Sequence, residues 1–258
     1  MSPLSADILG VGLIGPGLAD WASATPLLRE PALWQTSATA VPPPQRLPAT
    51  ERRRAGAVVK TSIAVADQAL AATGLDPAAL ATVFTSSTGE PANCHALCEA
   101  LAAPERLVSP TRFTNSVHNA PGGYWHIAVH SMAPSTSLAA YDASFGAGLL
   151  EALAQVASRN APVLLVAADV PYPAPLAAKR PTSDAFGVAL LLAPGTQLTL
   201  ALVDEAAATT CGHAGLDALR LGIPAARALP LLQAIARGGP ARLMLEGLPG
   251  LSLQLALA

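Results

Sequence analysis

Charge is what this sequence has least of. Of its 258 residues 12% are Asp, Glu, Lys or Arg, against 52% hydrophobic, and the formal net charge is −2. A chain so poor in charge has less ionic surface to present to solvent than an average globular domain, which points to surface hidden against a partner. With a pI near 6.2 it has no basic footprint, which excludes nucleic acid and anionic lipid as ligands. No uncharged apolar run reaches the length of a membrane span, so none is expected. Residues 1–17, MSPLSADILGVGLIGPG, lack a basic opening and carry Asp7 before their apolar run, so no secretory leader is read there. Three cysteines without regular spacing exclude a disulfide framework and fit a reducing cytoplasm.

Cys94 and Cys98 stand four apart in NCHALCEALAA, with His95 between them. Helical spacing puts both thiols on one face, where two ligands of a metal site arise. No second ligand pair accompanies them, so they are read as small buried hydrophobes. No metal and no cofactor is expected.

Apolar periodicity alternates between strand and helix along the chain, the pattern of an α/β layer fold. Strands are expected at Ala6–Leu13, Thr82–Ser87, Ser135–Tyr141, Pro162–Ala168, Phe186–Ala193, Gln197–Val203, Arg242–Leu245 and Leu251–Leu257. The uninterrupted apolar runs PVLLVAA and FGVALLLA read as strands covered on both faces. Helices are expected at Glu51–Thr73 with Gly74 as its stop, Pro91–Ala102, Asn119–Met132, Ser144–Ser158 and Ala225–Arg237. Gly122-Gly123 inside a helix signals close approach of another backbone or a ligand.

The stretch SVHNAPGGYWHIAVHSMAPSTSLAAYDASFGAGLLEA is where a family likeness resides. It resembles the β-ketoacyl synthases of the thiolase-like superfamily, in which an Asn opens a Gly-containing helix and a Gly-Pro-Ser turn leads into a strand. That strand ends in the catalytic cysteine, where the next helix begins. Laid on this pattern without a gap, Asn119 takes the Asn, Ala133-Pro134-Ser135 the turn, and Asp142 the position of the nucleophilic cysteine. Of the five histidines only His213 lies beyond the turn, in TTCGHAG, which lacks the family's His-Gly-Thr-Gly pattern. Claisen condensation needs a soft thiolate to carry the acyl chain and donors to stabilise the enolate; a carboxylate supplies neither.

The resemblance implies an α/β, thiolase-like layered fold of αβαβα type in one domain, with a complete first half (residues 1–195) and a truncated second half (residues 196–258). It is nearest to the chain-length factors, and among them to the short ketosynthase-like partners of aryl polyene-type pigment pathways. Such a subunit is non-catalytic, forms a heterodimer with an active β-ketoacyl synthase in the cytoplasm, and meets acyl carrier protein mainly through that partner. By resemblance, Arg112, Phe113, Ser116 and Asn119 are expected at the dimer interface and around the partner's acyl tunnel.

Residue by residue, simpler roles compete. Asp142 reads as a cap on the following helix, since a carboxylate there accepts backbone N–H bonds and suits the helix dipole. His118 reads as a hydrogen-bonded structural histidine, Tyr124, Trp125 and His126 as packing or interface, and Arg52–Arg54 as a solvated helix face. A different class of function is also open: D-A-S-F-G imitates a nucleophile elbow with Ser144 as nucleophile, and Asp169, Asp184 and His213 follow in hydrolase order. A third reading is a homodimeric acyl- or carrier-protein-binding module.

Overall fold

The computed structural model describes residues 3–258; Met1 and Ser2, the start of the stretch read as lacking a leader, lie outside them. One seven-stranded mixed sheet organises the chain. Its strands are β1 (Leu4–Ile14), β2 (Ala81–Thr85), β3 (Ser135–Leu138), β4 (Val163–Asp169), β5 (Phe186–Asp204), β6 (Ala241–Glu246) and β7 (Leu251–Leu257). They run in the order β3-β2-β4-β5-β7-β6, with β1 paired to β5 off this path. β2 is parallel to both β3 and β4, whereas β5 is antiparallel to β4, β1 and β7. This is the α/β class expected from the sequence, carried by a single sheet that the last two strands join.

Helices cover both faces. They are α1 (Trp21–Arg29), α2 (Ala49–Arg54), α3 (Ala57–Leu70), α4 (Pro91–Ala102), α5 (Pro110–Thr114), α6 (Ala120–Val129), α7 (Ser144–Arg159), α8 (Ala214–Gly222) and α9 (Leu229–Arg237). On one face α3 and α6 bury Val59, Ile63, Val65 and Trp125 against Leu164, Val166 and Leu191. On the other, α7 with α1, α8 and α9 buries Phe145, Leu149, Leu153, Leu28, Leu216 and Leu232 against Leu165, Leu190 and Val188. Adjacent residues of β4 and β5 thus serve opposite cores, which is why those runs read as apolar throughout. α3 lies flush on β1 because the strand carries glycines there: a Cβ on Gly12 would stand 1.9 Å from the Val65 carbonyl oxygen, and one on Gly10 equally close to that of Ala69.

Four expectations are corrected. The helix expected over Glu51–Thr73 breaks at Ala55-Gly56, leaving α2 and α3. The break admits the Glu90 carboxylate, which packs where a Gly56 side chain would stand and accepts the Val59 N–H at 3.0 Å, so a remote carboxylate caps α3. Gly74 lies past the helix end, with φ +67. The strands expected at Phe186–Ala193 and Gln197–Val203 are one strand, β5, because Asp7 accepts the N–H groups of Thr196 and Gln197 at 2.8 and 2.9 Å and carries the pairing across Pro194-Gly195 in a bulge. The helix expected at Ala225–Arg237 opens with a 3₁₀ turn, Pro224–Ala228, before α9. Finally Cys94 and Cys98, expected in the core, are exposed on α4.

α1, α5 and α8 were not anticipated. Asp20 caps α1 by accepting the Ser23 N–H at 2.7 Å, and His213 caps α8 through Nδ1. No helix of the described residues is long and apolar enough to cross a membrane.

Candidate functional site at the Asp142 turn

β3 ends at Leu138, and the chain then turns sharply into α7 through Tyr141, whose φ of 52° lies in the left-handed region that side chains with a Cβ seldom occupy. Ser144 fastens this turn. Its hydroxyl donates to the Tyr141 carbonyl at 2.6 Å and accepts the Ala140 N–H at 3.0 Å, and its carbonyl accepts the Thr85 hydroxyl at 2.9 Å.

Asp142 does not cap α7, whose N-cap is Ala143 without a side-chain bond. The carboxylate instead meets two guanidiniums brought from distant segments. Arg180, from the loop between β4 and β5, pairs with Oδ1, and Arg227, from the 3₁₀ turn before α9, lies 3.6 Å from Oδ2. Arg180 is held from two further sides: it donates to Ser87 Oγ at 2.9 Å, and its guanidinium carbon lies 3.7 Å from the centroid of the Tyr141 ring. That cation–π contact rewards the strained Tyr141 backbone, because only this turn sets the ring under the arginine. Beyond Arg227 the charges go on alternating. Arg227 reaches Glu246 at 3.1 Å, Glu246 also pairs with Arg220, and Arg220 reaches Asp217 at 3.0 Å.

Asp169 braces the same region from below. It is buried at the end of β4 and accepts from Ser86 Oγ (3.1 Å), Ser87 N (2.7 Å) and Thr88 N (2.8 Å) with one oxygen, and from Ala225 N (2.8 Å) with the other. One carboxylate thereby ties the loop that holds Arg180 to the turn that presents Arg227. Burial pushes its carboxyl up from the ordinary value, and the bonds from Thr88, Ser87 and Ser86 work against that shift. Cavities of about 140 Å³ and 650 Å³ flank Asp142, the first beside Arg180 and Thr182, the second beside Tyr141, Leu248 and Leu251.

No thiol stands at this turn. Cys94 and Cys98 are on α4; Cys211 is buried, and burial with Asp217 beside it pushes its thiol up to about 12, so it is protonated at neutral pH. No cluster of three metal-ligating side chains occurs among the described residues. The nucleophile-elbow reading fails on geometry. Ser144 is 1% exposed with its hydroxyl held by backbone, Asp169 braces loops, and Asp184 accepts the Thr39 N–H. His213 caps α8 and meets Trp34 edge-on at 5.6 Å.

The residues expected at an interface form a separate, exposed group. Arg112 and Phe113 lie on α5, Ser116 donates to the Phe113 carbonyl at 2.7 Å, and Phe113 is 68% exposed. Asn119 opens α6 without capping it and lines a cleft of about 440 Å³ with Gly122, Gly123, His126, Ser135 and Ser137. The close approach of a backbone expected at the glycine pair is not found: Gly122 faces the side chains of Ser135 and Phe84, and Gly123 faces open space. His118 Nε2 is bound to the Ser86 carbonyl at 3.0 Å, the structural role expected of it. Tyr124 and Trp125 are core residues.

Arg180, Arg227, Glu246 and the bracing role of Asp169 escaped the sequence reading. A signal existed in the chain's thrift with charge: an arginine inside the apolar run PAARALP has to find a buried or half-buried anion.

The family described as Beta-ketoacyl synthase, N-terminal domain, matches residues 25–240. No curated protein sequence matches the chain. Among solved structures it is similar to a chain of the ketosynthase (ApeO) in complex with its chain length factor (ApeC) from Xenorhabdus doucetiae, with a TM-score of 0.75 and 24% identity over 98% of this chain and 99% of that one. It is similar to a chain of the ishigamide ketosynthase/chain length factor, with a TM-score of 0.73 and 14% identity over 98% and 99%. A chain of the type II polyketide synthase assembly AntDE:AntF gives 0.70 and 13% over 99% of each. At these identities the likeness establishes the fold, and the family match establishes descent: the chain belongs to the β-ketoacyl synthase N-terminal domain family.

Proposed function

We propose that this chain is a non-catalytic, chain-length-factor subunit that pairs with an active β-ketoacyl synthase and shapes the pocket in which a polyketide, aryl polyene or similar acyl chain grows. The observation that carries this reading is Asp142. It occupies the place where the family presents a thiolate, and it is neutralised between Arg180 and Arg227. A carboxylate so engaged neither holds an acyl group as a thioester nor acts as a free base. The similar folds of chains from ketosynthase/chain length factor complexes support the partner assignment.

In this reading the chain works as one unit, with residues 1–195 as the first half and 196–258 as a shortened second half; β5 runs across that boundary. The exposed apolar side chains Leu107, Phe113 and Val117 meet the ketosynthase, with Arg112, Phe113, Ser116 and Asn119 at its acyl tunnel. Acyl carrier protein reaches the complex mainly through the ketosynthase. A reducing cytoplasm suits the three unpaired cysteines.

The test is co-expression with a ketosynthase from the same source, read by light scattering and by product analysis with malonyl-loaded carrier protein. A one-to-one complex whose product length shifts with the size of the side chain at 113 or 116 is the expected result. A chain that condenses malonyl units alone, or that ignores the ketosynthase, overturns the proposal.

A further inference from the structure

Of the 12 residues of α4 only Pro91 is buried. The residue before the helix, Glu90, gives it no cap, because that carboxylate is committed to α3. Asn93 links α4 to the arm that follows, its Nδ2 donating to the Arg112 carbonyl at 2.8 Å. One turn apart on the same helix stand Cys94 and Cys98, both exposed; desolvation and the neighbouring Cys98 push the Cys94 thiol up. His95 is taken up by Glu99 at 3.2 Å, so the chemistry of this face is left to the two sulfurs.

Residues one helical turn apart have Cα atoms about 6 Å apart, within the span of a disulfide. Their Cβ atoms are about 5–6 Å apart in an intact helix, whereas a disulfide draws them to about 3.5–4.5 Å. The bond therefore closes only where the helix yields, and a helix with so little buried apolar surface opens locally at small cost. We propose that Cys94 and Cys98 are an oxidisable dithiol, a modification site for hydroperoxides, whose closure to a disulfide unwinds the middle of α4 and frees the arm carrying Phe113 and Ser116. In the first step one thiolate attacks the peroxide O–O bond, giving a sulfenic acid and releasing the other oxygen as water or alcohol. The second thiolate then attacks that sulfur and expels its hydroxyl as water; the two thiols supply the two electrons and two protons that reduce the peroxide. Cys211, 2% exposed, is the internal control that stays reduced.

This inference does not rest on the partner assignment. The test uses the full chain treated with hydrogen peroxide, read by intact mass and by amide hydrogen exchange. The expected product is a monomer lighter by about two mass units, abolished in Cys94→Ser and in Cys98→Ser. Exchange over residues 93–119 rises by about tenfold or more while α3 and α7 are unchanged. Products that only gain oxygen, or disulfides that only link two chains, overturn the site. A disulfide within the chain with unchanged exchange over 93–119 overturns its effect on the arm. Light scattering of the reduced protein with a ketosynthase reads the heterodimer separately, so the two ideas fail independently.

Discussion

The Asp142 turn and the arm from α4 to Asn119 differ in how they use polar groups. At the turn, six charged side chains alternate in sign from Arg180 to Asp217, and a buried carboxylate fastens two loops beneath them. On the arm, apolar side chains at 107, 113 and 117 face outward, and the side-chain ties to the body are few: Asn115 to the Arg54 carbonyl, Tyr124 to Asn115, and His118 to the Ser86 carbonyl. The turn is held from several sides by charged partners, and the apolar face of the arm is left uncovered. A chain with 12% charged residues has concentrated them where loops must be held.

Removing the brace breaks this comparison most severely. Asp169→Ala strands three buried or half-buried N–H groups and a hydroxyl, and the expected loss is roughly 3–5 kcal/mol in denaturant unfolding. Asp142→Cys unpairs Arg180 and Arg227 at a site that is one-third open to solvent, so the expected loss is about 1–2 kcal/mol. The introduced thiol is expected to give no condensation by the isolated chain, measured as carbon dioxide release and product from malonyl-loaded carrier protein.

A third prediction concerns the carboxylate that caps α3. Burial raises the Glu90 carboxyl above its ordinary value of 4.5, against the bonds from Val59, Val58 and Ala57 that lower it. The folded chain therefore holds that proton more tightly than the unfolded chain. Its contribution is full below about 4.5 and is lost as pH rises through the folded value. In unfolding midpoints measured from pH 4 to 7, Glu90→Gln is expected to remove that decline. The smallest effect on folding belongs to the arm: Phe113→Ala changes stability by no more than about 0.5 kcal/mol, yet weakens the ketosynthase complex by roughly tenfold. An equal change in both would place Phe113 in the body of the chain.

The two regions also differed in how far the sequence disclosed them. From Asn119 to Ser144 the information is local and contiguous, so the register that set Asp142 at the turn was readable residue by residue. The side chains that meet Asp142 were not, because Arg180 and Arg227 come from loops whose positions depend on the whole sheet. The cap expected of Asp142 was a sound local inference overruled by two distant cations. β5 and α3 teach the same lesson: Pro194-Gly195 and Ala55-Gly56 behave as they do because Asp7 and Glu90, far away in sequence, accept the backbone N–H groups there. Cys94 and Cys98 were misplaced because hydrophobic composition was taken for burial, whereas α4 fully buries only Pro91 and leaves both thiols exposed.

β5 carries one more consequence, for the order in which the chain can be built. Leu4 of β1 pairs with Leu200, and Ile14 with Gly187, so the first strand has no partner until the ribosome has delivered β5. Until then β1 and the apolar face of α3 that covers it wait unsatisfied, exposing a segment such as Val11–Ile14 for most of synthesis. Pairing across so much sequence is slow and leaves nascent chains open to aggregation. A subunit made this way depends on what binds its early segments while its last third emerges, and its yield in the cell is set there as much as by the stability of the finished fold.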